Sequence, residues 1–237
     1  PSNCFHYAFW AGKIAMEHMT PVLLLSDGFI ANGSEPWRIP SMKEYPKITP
    51  PIVTRAPEGG FQPYARDEKR LARMWALPGT KGVEHRVGGL EKDSLSGAVS
   101  HDPENHERMV GLRAAKVARV QDFIPKQEVV GGRRGELLVV GWGGTYGHLL
   151  TAVRELQRRG EQVSLCHFNF IHPLPRGVRE IFSRFRRIVV CELNSGQFAG
   201  YLRQQFQEFE FLQYNKIQGL PFTVTELGDE FARLLKS

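Results

Sequence analysis

The chain has 237 residues, 41% of them hydrophobic, enough to bury a core in one large domain or two modest ones. Its formal charge of +6 comes without an aromatic-interleaved basic stripe, so no nucleic-acid partner is indicated, and no apolar run approaches the ~20 residues that span a bilayer. The 3 cysteines, Cys4, Cys166 and Cys191, stand far apart with no C-x-x-C pair, which argues against a zinc or iron–sulfur site encoded here and fits a reducing cytoplasm.

Residues 2–19 predict a helix whose apolar face is Phe5, Ala8, Phe9, Gly12, Ala15, Met16 and Met19, at steps of three and four. "PVLLLS" follows and predicts a strand buried on both faces, because no polar residue alternates within it. A single strand makes no sheet, so its neighbours are expected upstream of this chain or in the later domain. "DGFIANGSEPWRIP" then breaks regular structure with glycine and proline. Residues 41–100 read as a long irregular connection punctuated by prolines and glycines, ordered by the apolar anchors Phe61, Tyr64, Met74 and Trp75. A helix is expected over about 102–120, with Asp102 as N-cap, Pro103 in the first turn and Glu104 at the positive end of the dipole. "IPKQEVVGGRRG" marks a domain boundary.

From residue 136 the pattern is regular. Strands "ELLVVG", "QVSLCHF", "RIVVCE" and "FLQYNKI" alternate with helices expected over 147–159, 177–185 and 197–209, and a last helix opens with a capping box of Thr223 and Glu226. Alternation of this kind implies a parallel sheet with right-handed crossovers, hence an α/β domain. "GGRRG" and "SRFRR" read first as solvated turns and helix ends, and second as a docking face for an acidic protein partner.

Several motifs carry candidate chemistry. The turn Gly141-Trp142-Gly143-Gly144-Thr145-Tyr146-Gly147 has Tyr146 where a dinucleotide fingerprint needs glycine, no acidic residue ends the next strand, and no Gly-Lys-Ser/Thr follows. A tight turn that lets backbone pack closely is favoured over an anion contact at the helix N-terminus, and a dinucleotide site least. His167 and His172 would need further ligands to hold a metal, so satisfied interface histidines are the simpler reading. Glu192, Asn194 and Gln197 lie just past a strand's C-terminal end, where a subunit-contact or helix-capping role is favoured. Glu84, His85 and Arg86 form a polar cluster in the long connection, either a salt-bridged turn or part of a site on a neighbouring subunit.

The segments "TPVLLLSDGFIANGSEPWRIP", "GTKGVEHRVGGLEKDSLSGAVSHDPENHERMVGLRAAKVARV", "VVGWGGTYG", "HFNFIHPLP", "CELNSGQF" and "NKIQGLPF" occur in this order. Together they resemble the C-terminal part of the alpha subunit of 2-oxoacid:ferredoxin oxidoreductases, most of all the 2-oxoglutarate enzymes, over essentially the whole chain. The resemblance implies an α/β fold in which residues 1–40 are a remnant of the pyrimidine-side thiamine-binding domain. Residues 41–129 would be a long linker, and 130–237 a parallel-sheet domain like the C-terminal domain of transketolase. It implies decarboxylation of a 2-oxoacid on thiamine diphosphate with Mg2+, electron transfer through a [4Fe-4S] cluster to ferredoxin, and release of an acyl-CoA. The partners implied are a thiamine-binding beta subunit, ferredoxin, the 2-oxoacid and CoA; neither nucleic acid nor membrane is among them. The residues that grip substrate and activate the cofactor are expected upstream of Pro1, so no catalytic, cofactor or metal residue transfers to this chain. Asp27, Asn32, Glu84, His85, Arg86, Glu192 and Asn194 are the residues expected near the active site or a subunit contact. The remaining readings are a non-catalytic interaction module and a subunit of a pyruvate- or branched-chain-specific relative.

Overall fold

The computed structural model describes residues 1–236. In chain order the helices are α1 (Ser2–His18), α2 (Gly28–Ala31), α3 (Pro103–Arg119), α4 (Tyr146–Arg158), α5 (Val178–Phe182), α6 (Gln197–Gln205) and α7 (Val224–Lys236). The strands are β1 (Ile52–Val53), β2 (Trp75–Ala76), β3 (Gly135–Trp142), β4 (Val163–Phe168), β5 (Phe185–Glu192) and β6 (Leu212–Asn215). The chain divides into two compact units: Pro1–Leu24 with Ser34–Ile124, and Leu25–Gly33 with Pro125–Ser237.

In the first unit, α1 forms where its sequence pattern placed a helix, but it buries a different face. Ile14, Glu17 and His18 are inside, whereas Phe5 and Met16, members of the expected apolar face, remain exposed. The cause is polar. Glu17 is 2% exposed and meets Lys13 Nζ at 2.6 Å, the Thr49 N–H at 2.8 Å and Arg70 at 3.8 Å. Burial opposes ionisation of Glu17, yet Lys13 and Thr49 outweigh it and hold the carboxyl below its usual range. The long connection is organised by short-range caps rather than by long elements. The Asp67 carboxylate accepts the N–H groups of Lys69, Arg70 and Ala72, and Asp93 accepts those of Leu95 and Ser96. β1 and β2 pair in parallel through Ile52↔Trp75, and the Trp75 indole donates to Met16 O at 2.8 Å.

α3 begins as its cap dictates: the Asp102 carboxylate accepts the N–H groups of Glu104 and Asn105 at 3.3 and 3.2 Å. Asp102→Ala is expected to lower stability by about 1 kcal/mol, measured by urea denaturation.

The expected strand "PVLLLS" is absent. Residues 21–26 belong to no strand, and Leu23 is 88% and Leu25 69% exposed. Hydrophobicity makes a segment able to join a sheet, but a strand exists only when its N–H and C=O groups have a ladder partner, and none of the described strands pairs with it.

The second unit carries the parallel sheet, in the order β4-β3-β5-β6. Successive β3 residues point to opposite faces. Leu137 and Val139 pack with Leu149 and Val153 of α4 and with Leu227 and Phe231 of α7. Leu138 and Val140 pack with Phe182 of α5, Phe198 and Leu202 of α6, and Phe211. Helices on both faces explain why the strands read as continuous apolar runs. The capping box of α7 is formed: Thr223 N–H donates to Glu226 Oε1 at 3.0 Å and Glu226 N–H to Thr223 Oγ1 at 3.2 Å.

Candidate functional site

In this sheet β3 connects through α4 to β4 on one side, while β5 connects through α6 to β6 on the other. The C-terminal ends of β3 and β5 therefore flank the topological switch point, where open α/β sheets place ligands. Trp142 ends β3 and Glu192 ends β5, and the Trp142 indole N–H donates to Glu192 Oε2 at 3.2 Å across that point. Glu192 is 1% exposed and accepts two further bonds, from Phe198 N–H at 2.9 Å and Ala199 N–H at 2.9 Å. Asn194 Oδ1 accepts the N–H groups of Gly196 and Gln197 at 2.7 and 3.3 Å. The amides that open α6, the groups that would meet a phosphate in a nucleotide-binding sheet, are thus satisfied by the chain's own side chains. Capping is the role these bonds show for Glu192 and Asn194.

The glycine turn that opens α4 is built by packing. A Cβ on Gly141 would lie 2.2 Å from Leu149 Cδ1 and 2.9 Å from Thr145 Oγ1, so glycine leaves the space that these α4-side side chains fill against β3. A Cβ on Gly144 would lie 2.8 Å from Asp27 Oδ2. The Asp27 carboxylate therefore rests against the turn at the positive end of α4, and it also accepts the Phe29 N–H at 2.8 Å. Asn32 closes the same short segment by donating from Nδ2 to Gly28 O at 2.7 Å, and the Phe29 ring lies 5.9 Å from His148 on α4. Each helix N-terminus at the switch point thus faces an internal carboxylate.

Beside the turn, Thr145 Oγ1 donates to Trp142 O at 2.8 Å and stands 3.5 Å from His167 Nε2. The Tyr146 ring meets His167 edge-on at 5.0 Å. Burial pushes His167 down to about 4, against the opposing effect of backbone bonds at Trp142 and Gly143, so the imidazole is neutral at pH 7. His172 Nδ1 pairs with Tyr201 OH at 3.0 Å instead of joining His167. Among the described residues no group of three or more His, Cys, Asp or Glu side chains is placed to hold a metal.

Glu84, His85 and Arg86 lie in the first unit and are exposed. Their turn is not closed by a Glu84–Arg86 ion pair. Glu84 Oε2 accepts the Gly82 N–H at 2.8 Å, His85 Nδ1 bonds Val83 O at 2.9 Å, and the His85 ring lies 5.5 Å from Phe61. A carboxylate two residues from a glycine N–H closes a local loop without ordering a long arginine. Sequence reading missed Trp142 and Thr145 as partners in the switch-point network. A tryptophan at the end of an apolar strand was the available signal, because a half-buried indole N–H needs an acceptor.

Acid sensitivity follows from the buried histidines. His18, 1% exposed with neither ring nitrogen hydrogen-bonded, is pushed down to about 4 by burial and then by Arg70. The unfolded chain binds these protons near 6.5 and the folded chain only near 4, so stability is complete above pH 7 and falls as pH drops through that window. His18 alone withdraws on the order of 3 kcal/mol by pH 4. Urea midpoints measured from pH 7 to 4.5, above the range where most carboxylates titrate, should fall steadily, and His18→Leu should flatten the slope.

No protein-family model matches the chain. The 2-oxoglutarate oxidoreductase subunit KorA of Mycobacterium tuberculosis is 43% identical to it over 229 residues, covering 96% of this chain and 34% of the relative. The chain is homologous to 2-oxoacid oxidoreductase subunits. The 2-oxoglutarate synthase subunit KorA of Methanothermobacter marburgensis is 27% identical over 196 residues, covering 82% of this chain and 51% of the relative. In structure, 94% of the chain superposes on 39% of a chain of the 2-oxoglutarate:ferredoxin oxidoreductase from Magnetococcus marinus, solved with 2-oxoglutarate, coenzyme A and succinyl-CoA bound, at a TM-score of 0.86 and 26% identity. The chain spans about a third to a half of the length of these curated relatives. The resemblance read from the ordered motifs and the α/β class with a parallel sheet both hold.

Proposed function

We propose that the chain is part of the alpha subunit of a thiamine-diphosphate-dependent 2-oxoacid:ferredoxin oxidoreductase. The reaction of the whole assembly is conversion of 2-oxoglutarate, CoA and oxidised ferredoxin to succinyl-CoA, CO2 and reduced ferredoxin. The observation that carries this reading is the near end-to-end homology at 43% identity, joined to superposition on a 2-oxoglutarate:ferredoxin oxidoreductase. Within the assembly this chain supplies scaffolding and subunit contacts. The switch-point geometry supports that role, because the positions a ligand phosphate would take are filled by Glu192, Asn194 and Asp27.

When bound, thiamine diphosphate supplies the electron sink for decarboxylation. The residues present do not fit the implied iron–sulfur cluster. Cys4 is exposed, while Cys166 and Cys191 are buried in different core clusters, so they supply no set of thiolates for an iron–sulfur cluster. The cluster is therefore assigned to another part of the assembly; we propose that thiamine diphosphate and Mg2+ are held there too, with a beta subunit as the cofactor-holding partner and ferredoxin as the acceptor. We place the action in a reducing cytoplasm, which the three free cysteines fit. No helix among the described residues is long and apolar enough to cross a membrane.

The exposed segment 23–26 and the turn at Glu84, His85 and Arg86 are the surfaces expected to meet the rest of the assembly. Tagged full-length protein should co-purify with a subunit containing stoichiometric thiamine diphosphate. Recovery of the protein alone, without thiamine, from cells expressing both genes would refute the assignment. In the intact complex His85→Ala should lower turnover or weaken assembly, and unchanged kinetics with an unchanged elution volume would remove His85 from the contact.

A further inference from the structure

In the first unit, four cations gather beside α3. Arg66 and Arg73 face each other across an isolated antiparallel bridge, and both guanidiniums lie against the Tyr64 ring, with Cζ 5.9 and 4.2 Å from its centre. Arg66 Nη2 reaches Met109 Sδ at 3.5 Å, and Met109, Arg113 and Lys116 follow at helical spacing on α3. Lys116 is partly buried and donates to Met19 O at 2.7 Å.

The nearby carboxylates are engaged elsewhere. Glu91 pairs with His106 at 2.9 Å and with Arg113 at 3.1 Å, and Asp67 accepts three backbone N–H groups of its own loop. Among the described residues no ion pair neutralises Arg66, Arg73 or Lys116. Burial, and then Arg73, Arg66 and Arg113, push Lys116 down to about 8; burial and Arg73 likewise lower Arg66. Holding like charges together out of water costs stability, and groups so perturbed mark sites where an opposite charge is received.

We propose that Arg66, Arg73 and Lys116 form a binding site for a phosphate-bearing anion. Arg66 is fixed as the frame by its bonds from Nη1 to Tyr64 O at 2.9 Å and Ser94 O at 3.1 Å. Tyr64 orients Arg73 by stacking, which leaves the planar fork of Arg73 open for two oxygens. Lys116, with one of its N–H groups on Met19 O, keeps two for the ligand. A dianion satisfies these donors together and removes the mutual repulsion, which a neutral ligand does not. The site stands on its own geometry and does not depend on the reaction proposed above.

The test is thermal unfolding and calorimetric titration of the full-length protein in low-salt, phosphate-free buffer, with inorganic pyrophosphate and ADP as separate probes. Saturable binding of pyrophosphate with a rise in Tm is expected. Lys116→Met and Arg73→Gln should each weaken it by about tenfold or more, the loss of one charge-assisted donor, while Arg108→Gln on the same helix should not. Tighter binding of ADP than of pyrophosphate identifies a nucleotide as the carrier of the phosphate, and the reverse identifies the free anion. The proposal is overturned by absence of saturable binding or by a Tm gain that survives in both variants. Should Lys116→Met fail to fold, the Arg73→Gln titration decides alone.

Discussion

Glu192→Ala should destabilise the protein by about 3 kcal/mol or more, because it leaves buried donors without an acceptor. The Trp142 indole N–H and the Phe198 and Ala199 N–H groups all end on this carboxylate, and the residue is 1% exposed, so water does not replace it. Glu192→Gln keeps the shape and one acceptor oxygen but sets its NH2 against a buried donor, so it should lose less than Ala while remaining destabilised. Urea denaturation of both variants distinguishes a structural carboxylate from a catalytic one. A large loss of stability with Ala and a smaller one with Gln is the structural outcome. Two variants as stable as the parent would show that the bonds across the switch point contribute nothing.

Gly141→Ala should cost about 1–3 kcal/mol through overpacking. The added methyl would sit 2.2 Å from Leu149 Cδ1, and Leu149 is fully buried, so Leu149 must repack or α4 must shift. Gly147, one turn into the same motif, has nothing within 4 Å of its would-be Cβ. Gly147→Ala should therefore stabilise the helix by about 0.5–1 kcal/mol. Opposite signs at two glycines of one motif are the signature of a packing turn. Equal, small effects would return the turn to a ligand-binding reading.

The second unit was legible because its rules are local. The apolar runs of β3, β4 and β5 and the box of Thr223 and Glu226 are each complete within a short window, and alternation with helices leaves the parallel arrangement as the simple solution. The first unit was less legible because its interior is settled by residues far apart in sequence. Glu17 goes inside α1 since Thr49 and Arg70 come to meet it, and no periodicity within the helix announces that. "PVLLLS" has the composition of a central strand, yet composition does not provide a neighbour. At the site, Asn194 followed by Gly196 and a helix was a readable cap, whereas the indole across the switch point and Asp27 against Gly144 depended on register and on a contact between distant segments.

The supporting place proposed for the chain in a larger catalyst is open to one direct assay. Viologen reduction with 2-oxoglutarate should be measured for the purified full-length complex and for residues 1–237 alone, with and without CoA. The account predicts CoA-dependent reduction and succinyl-CoA formation by the complex, and none by the isolated chain. Reduction by the isolated chain, or a complex that turns over no 2-oxoacid, would contradict it.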